Sequence, residues 1–197
     1  MLEGFIRKIT RKIPRDFSYV FLFDIISKIF TVAITIILIR IMSPVQYANI
    51  VKFSTLSGLI HGIFGGGIAL SFIRYSTELL SRGQKNTVGL HALSSLLIVI
   101  LSVLALFTIP LLRVAYNTST IIVVYATVFG FILSLINMNQ AYFQSMEQYI
   151  KSGIINNLRN AFIFLFLIVT IIFVGEIQAI NIFPVYVIAG LLAFVFG

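Results

Sequence analysis

An all-α fold that crosses a membrane several times is predicted by three observations. Of the 197 residues, 59% are apolar and 10% are charged, less than half the ~25% charged share usual in soluble domains. Mean hydropathy is +1.08. The charges also leave long gaps: 21 residues from Phe53 to Ile73 and 33 from Val114 to Met146 carry none, where a spanning helix needs roughly 20 apolar residues. This composition excludes a soluble enzyme domain and a disordered chain. The absence of Cys excludes a disulfide scaffold and a thiolate metal site.

Counting by charge gaps gives six spans, at about 17–41, 45–73, 88–112, 119–143, 155–175 and 180–197. Residues 1–16 form a basic tail ahead of them. Its stretch Gly4–Arg15 is short and partly amphipathic, and is expected to lie on an anionic membrane surface before Pro14 breaks it. A cleaved signal peptide does not fit, because the apolar stretch that follows is too long, contains Asp24 and Lys28, and has no small-residue cleavage site after it. The loops are short, which favours antiparallel neighbours in one bundle and leaves no room for a catalytic domain outside the membrane.

Orientation follows from the Lys/Arg bias of short loops. The tail holds Arg7, Lys8, Arg11, Lys12 and Arg15. The loop after span two holds Arg74, Arg82 and Lys85, and the loop after span four holds Lys151 and Arg159. The other side has Arg40 and Arg113. Both termini are therefore expected on the cytoplasmic side of a cell membrane.

Polar residues inside the spans are the functional candidates. In span one, Asp24, Ser27, Lys28, Thr31 and Thr35 fall on one helical stripe. Lys28 lies roughly 16 Å in from Phe17 at the helical rise. The stripe reads either as a neutral Asp24–Lys28 pair joining two helices or as the wall of a hydrated cavity. Lys52, in span two, either snorkels outward or adds positive potential to that cavity. His61 reads more readily as a hydrogen-bonded packing residue than as a proton relay. Gly58, Gly62 and Gly66 form a small-xxx-small ladder for close helix packing, and Gly65–Gly66–Gly67 suggests a bend or hinge. Span four carries Ser134, Asn137, Gln140 and Gln144, and span five opens with Asn156, Arg159 and Asn160. These amides suit sugar hydroxyls and serve equally as interhelical glue. No metal cluster, nucleophile–base pair or phosphate loop is visible, and His61 and His91 sit on different spans. No catalytic residue, cofactor or nucleic-acid partner is expected.

Several segments together carry a family likeness. The basic tail leads into a charged span ending Ile39–Arg40–Ile41–Met42–Ser43–Pro44–Val45–Gln46–Tyr47. Then come Gly58–Leu59–Ile60–His61–Gly62–Ile63–Phe64–Gly65–Gly66–Gly67–Ile68–Ala69 and Phe72–Ile73–Arg74–Tyr75. Gln140, Gln144 and Tyr149 follow span four. This resembles the N-terminal lobe of the polysaccharide flippases in the multidrug/oligosaccharidyl-lipid/polysaccharide exporter superfamily. The resemblance implies one lobe of a two-lobe, alternating-access transporter of lipid-linked oligosaccharide. Its partners would be that substrate, membrane lipid, and a second lobe supplied by further chain, another copy or another protein. It implies that Asp24, Lys28, Arg40 and Lys52 face the cavity, and Thr31, Asn137 and Gln140 of the polar stripes are expected to line it with them. The rival readings are a cation or drug exporter of the same superfamily, a membrane-embedded glycosyltransferase or polymerase, and an assembly subunit without transport of its own.

Overall fold

The computed structural model describes residues 15–83, 86–174 and 178–196. Apart from Arg15, the expected surface tail lies outside the described residues. The described chain is a helical bundle: α1 (Arg15–Ile41), α2 (Pro44–His61), a π-helical turn (Gly62–Gly66), α3 (Gly67–Ser81), α4 (Thr87–Leu106), α5 (Ile109–Ala115), α6 (Thr120–Ser145), α7 (Tyr149–Val174) and α8 (Ala179–Phe196). With α2, the π turn and α3 counted as one continuous segment, six of these are long and apolar enough to cross a membrane. The protein is an all-α, multi-pass membrane protein. Below, the face of the bundle at which α1 begins is the tail face, and the opposite one is the far face.

Most helix starts follow from local chemistry. Ser43 caps α2 by accepting the Gln46 amide at 3.4 Å, and Pro44 fills the first turn, where a missing N–H costs nothing. Ser119 caps α6 in the same way through the Ile122 amide. The third span ends earlier than the charge gap suggests, at Leu106, because Pro110 cannot continue a helical ladder and instead opens the short α5. The α5–α6 turn passes through Asn117 with φ 41°, a left-handed conformation that Asn tolerates. The fifth span begins at Tyr149, six residues ahead of its expected start at 155.

The middle of the bundle is α6. It touches α2, α3, α4, α7 and α8, and its faces divide among them. Gly130 and Ser134 meet α2 and the π turn. Met138 and Ala141 pack with Ala69, Phe72 and Ile98 of α3 and α4. Ile132 and Ile136 pack with Ile155 of α7 and Ala193 of α8. Phe53 stacks on Phe129 and Phe183, with centroids 5.5 and 4.9 Å away, and meets Tyr186 edge-on at 5.5 Å. This aromatic knot fastens α2, α6 and α8.

The glycine ladder behaves differently from its expectation. A Cβ at Gly58, Gly62 or Gly66 would meet nothing within 4 Å, so these three form no tight packing surface among the described residues. Gly65 makes the close approach: a Cβ there would collide with the Ser134 side chain. The bend expected at Gly65–Gly66–Gly67 is a π turn one step earlier. Its widened ring, with three glycines in five residues, presses Gly65 against α6.

Candidate functional site

The first helix is fastened chiefly to α7, and only slightly to its sequence neighbour α2. Gly153 makes this possible, since a Cβ there would collide with the Phe23 ring. Close approach brings the buried Ser27 hydroxyl within reach of two α7 amides. Asn160 Nδ2 donates to Ser27 Oγ at 2.6 Å, and Asn156 Nδ2 donates to the same oxygen at 3.2 Å. One turn nearer the tail face, Asn157 Nδ2 donates to the Phe23 and Gly153 carbonyls at 3.0 and 2.9 Å.

Between these amides stands Arg159. Its Nε and Nη2 donate to Asn160 Oδ1 at 3.3 and 3.2 Å, and Nη2 also donates to Asn156 Oδ1 at 3.2 Å. Every one of those acceptors is neutral. The guanidinium always keeps its charge, and among the described residues the one ion pair joins Arg82 to Glu78. The Nη1 nitrogen, with two of the five donors, bonds to no described residue. Arg159 is the tenth residue beyond Tyr149, so it lies roughly 15 Å along α7. A fixed positive charge thus sits well inside a spanning helix without a carboxylate.

Its surroundings are polar. On α7, Ser152 and Arg159 lie between the edge that meets α6 (Ile155, Phe162) and the edge that meets α1 (Gly153, Asn157). On α6, Asn137, Gln140 and Gln144 form a stripe between the edge that meets α2 and the edge that meets α7. The two stripes flank the contact between α6 and α7. Gln144 Nε2 donates to Ser152 Oγ at 3.2 Å and joins them at the tail-face end. His61 lies within electrostatic reach of Arg159, and so does Tyr186. The Ser134 hydroxyl donates to the Gly130 carbonyl at 2.9 Å. In the neutral His61 ring, Nδ1 therefore donates to Ser134 Oγ across 3.3 Å, which leaves Nε2 as an acceptor.

Beside Asn160 the bundle is grooved. Because α1 and α2 diverge from the Ser43–Pro44 corner, a groove of about 330 Å³ runs between them. Thr31, Thr35, Ser54, Thr55 and Tyr47 give it hydroxyls, Ile34, Leu38, Ile50 and Val51 give it apolar walls, and Asn160 and Tyr186 form its floor.

The sequence candidates are distributed around this geometry. Thr31 lines the groove and donates to the Ser27 carbonyl at 2.9 Å. Asn137 and Gln140 are half-buried in the α6 stripe, where no hydrogen bond of their side chains to a described residue is recorded. Asp24 and Lys28 are exposed and form no ion pair with each other. They continue the Thr31–Thr35 line toward the tail face, ahead of the first groove residue, Thr31. The five-residue stripe is rotated off the buried face of α1, so only Ser27 is buried. Arg40 is exposed in the last turn of α1. Lys52 does not line the groove. Its ammonium reaches away to the Asn117 carbonyl at 3.2 Å, in the α5–α6 turn on the far face, which is the outward snorkel. His61 takes the packing role through Ser134.

The residue that sequence reasoning assigned to a loop is Arg159. The charge count placed it with Lys151 on the loop side, although the fifth span, opened at 155, already included it among its first residues. The signal was the run Asn156–Asn157–Leu158–Arg159–Asn160, whose amides recur on the face that α1 covers. No group of three or more His, Cys, Asp or Glu suited to a metal ion occurs among the described residues. Comparison with family models, with curated proteins and with solved structures finds no significant match to this chain.

Proposed function

We propose that this chain is one lobe of a flippase that carries a lipid-linked, polyprenyl-diphosphate oligosaccharide from the cytoplasmic to the outer leaflet of a cell membrane. The observation that carries the reading is Arg159, an uncompensated charge framed by neutral amides beside a groove that opens between α1 and α2. A diphosphate cannot cross hydrocarbon unaided, so its path needs fixed positive charge where little water competes. At 4 Å and an effective dielectric of 20, one such pair is worth ~4 kcal/mol. The α6 amides Asn137 and Gln140 offer donors and acceptors to sugar hydroxyls, and the lateral groove lets an isoprenoid tail remain in lipid while the headgroup enters. A second lobe would complete the cavity, and rocking of the two would alternate access.

Arg159 replaces Lys28 and Lys52 as the principal cation of this mechanism. Lys28 keeps a place on the tail-face side of the groove, where loading occurs. With Arg159 inside the membrane, the basic count still favours the tail face by nine residues to two, which supports a cytoplasmic tail. The same arginine disfavours the cation-exporter reading, because it repels a cationic substrate.

The test is export of the lipid-linked glycan by cells expressing the intact transporter. Arg159→Gln is expected to cut export at least tenfold at normal protein level, with Arg159→Lys retaining a measurable fraction. Wild-type export by Arg159→Gln would end the proposal. If Cys placed at Asn137 and Thr31 also resisted water-soluble thiol reagents, the polar stripes would instead be dry helix glue, as in an assembly subunit.

A further inference from the structure

A second polar site lies on the far face, away from Arg159. The short α5, the Asn117 turn and the start of α6 border an open cavity of about 520 Å³, lined by Ile109, Pro110, Arg113, Val114, Asn117, Thr118 and Thr120. Three features of this elbow call for an anion. Arg113 is exposed, and no bond from its guanidinium to a described residue is recorded. Lys52 spends one of its three donors on the Asn117 carbonyl and keeps two. The Thr118 hydroxyl oxygen is buried and has no hydrogen-bond partner among the described residues, a state that costs about 1–3 kcal/mol if nothing fills it.

The described carboxylates do not answer these cations. Asp24 is in the tail-face half of α1, Glu78 near the end of α3, and Glu147 in the α6–α7 turn, all toward the tail face. A water molecule would satisfy Thr118 and leave both positive charges as they are. A phosphate in the cavity would meet Arg113 through charge-assisted bonds, with Lys52 close by on the Asn117 carbonyl, and a rotation of the Thr118 side chain would turn its hydroxyl to the same oxygens. The walls Ile109 and Val114 suit the first carbons of a chain attached to such a group.

We infer that the α5–α6 elbow binds a phosphate group, whether borne by an anionic lipid headgroup or free, through Arg113, Lys52 and the Thr118 hydroxyl. The site stands apart from the transport reading and would exist in a protein that moved nothing.

The test uses the purified full chain in detergent and native mass spectrometry with dioctanoyl-phosphatidylglycerol and dioctanoyl-phosphatidylcholine as probes. The anionic lipid is expected to bind at least about fivefold tighter than the zwitterionic one. Arg113→Gln and Thr118→Val should each weaken that binding about threefold or more at an unchanged unfolding temperature. Should Arg113→Gln fail to fold, the nearly isosteric Thr118→Val decides alone. Displacement by millimolar inorganic phosphate would identify the bare anion as sufficient, and resistance to it would assign the site to the lipid. Equal binding of the two lipids, or variants that bind like the wild type, would overturn the inference.

Discussion

Arg159 is held by groups without charge, and that shapes the consequences of removing any of them. Asn160 contributes most, since it bridges Ser27 and the guanidinium together. Replacing it by Leu leaves the buried Ser27 hydroxyl with Asn156 alone and removes an acceptor from a half-buried cation. Hydrogen bonds between membrane helices average ~0.6 kcal/mol, with a maximum near 1.7. The loss for Asn160→Leu should lie at the upper end, about 1.5 kcal/mol, and thermal unfolding in detergent will read it. Lys52→Met should cost less than about 1 kcal/mol by the same measurement, because the ammonium holds only the rim carbonyl of Asn117. Ser27 was legible as polar from the α1 stripe. Its burial was not, because a one-helix pattern says which residues share a face and not which neighbour covers it. Arg159 was hidden for the opposite reason: a charge in a membrane sequence looks like the end of a span, and only the amides of its own helix turn reveal that the span continues around it.

At the scale of the element, the π turn makes the sharpest prediction. Gly65 and Gly66 are adjacent and equally small, but only Gly65 touches α6. Gly65→Ala forces a Cβ into Ser134 and should cost about 1–3 kcal/mol, disturbing the His61–Ser134 bond as well. Gly66→Ala meets open space and should be neutral or stabilise by up to about 1 kcal/mol. Unfolding temperatures of the two variants, compared side by side, will separate them, and equal losses would mean that the turn is not pressed against α6. The glycine cluster announced a weak point in the helix, which the structure realises as the π turn. The four-residue ladder within it suggested contact that the structure places on Gly65 instead. Spacing alone does not say which face of a helix is toward its partner. The spans themselves were readable to within a few residues at most ends, since the hydrocarbon demands an unbroken apolar run whatever the packing.

For the whole molecule, the testable feature is its direction in the membrane. The proposed orientation predicts that Arg113→Cys is modified in intact cells by a thiol reagent that does not cross membranes. Lys151→Cys, at the tail face, should be modified only after permeabilisation. The reverse pattern would invert the bundle and place the phosphate elbow in the cytoplasm. The proposed side of each loop rests on Lys and Arg alone, because that bias acts during insertion and does not depend on tertiary contacts. The lateral groove was not, since it arises from two helices that are consecutive in the chain and yet hardly meet.

That divergence also bears on how the protein is made. The residues that anchor α1 to the bundle, Asn156 and Asn160, lie 129 and 133 positions after Ser27. At ribosomal speeds of roughly 5–20 residues per second, the first helix waits on the order of ten seconds before its docking partner has been synthesised. Throughout that interval Ser27, Asp24 and Lys28 face lipid, translocon or an insertion chaperone. In the newborn chain the Ser27 hydroxyl therefore lacks the two α7 amides that reach it only at the end, while Asp24 and Lys28 stay exposed even in the finished fold.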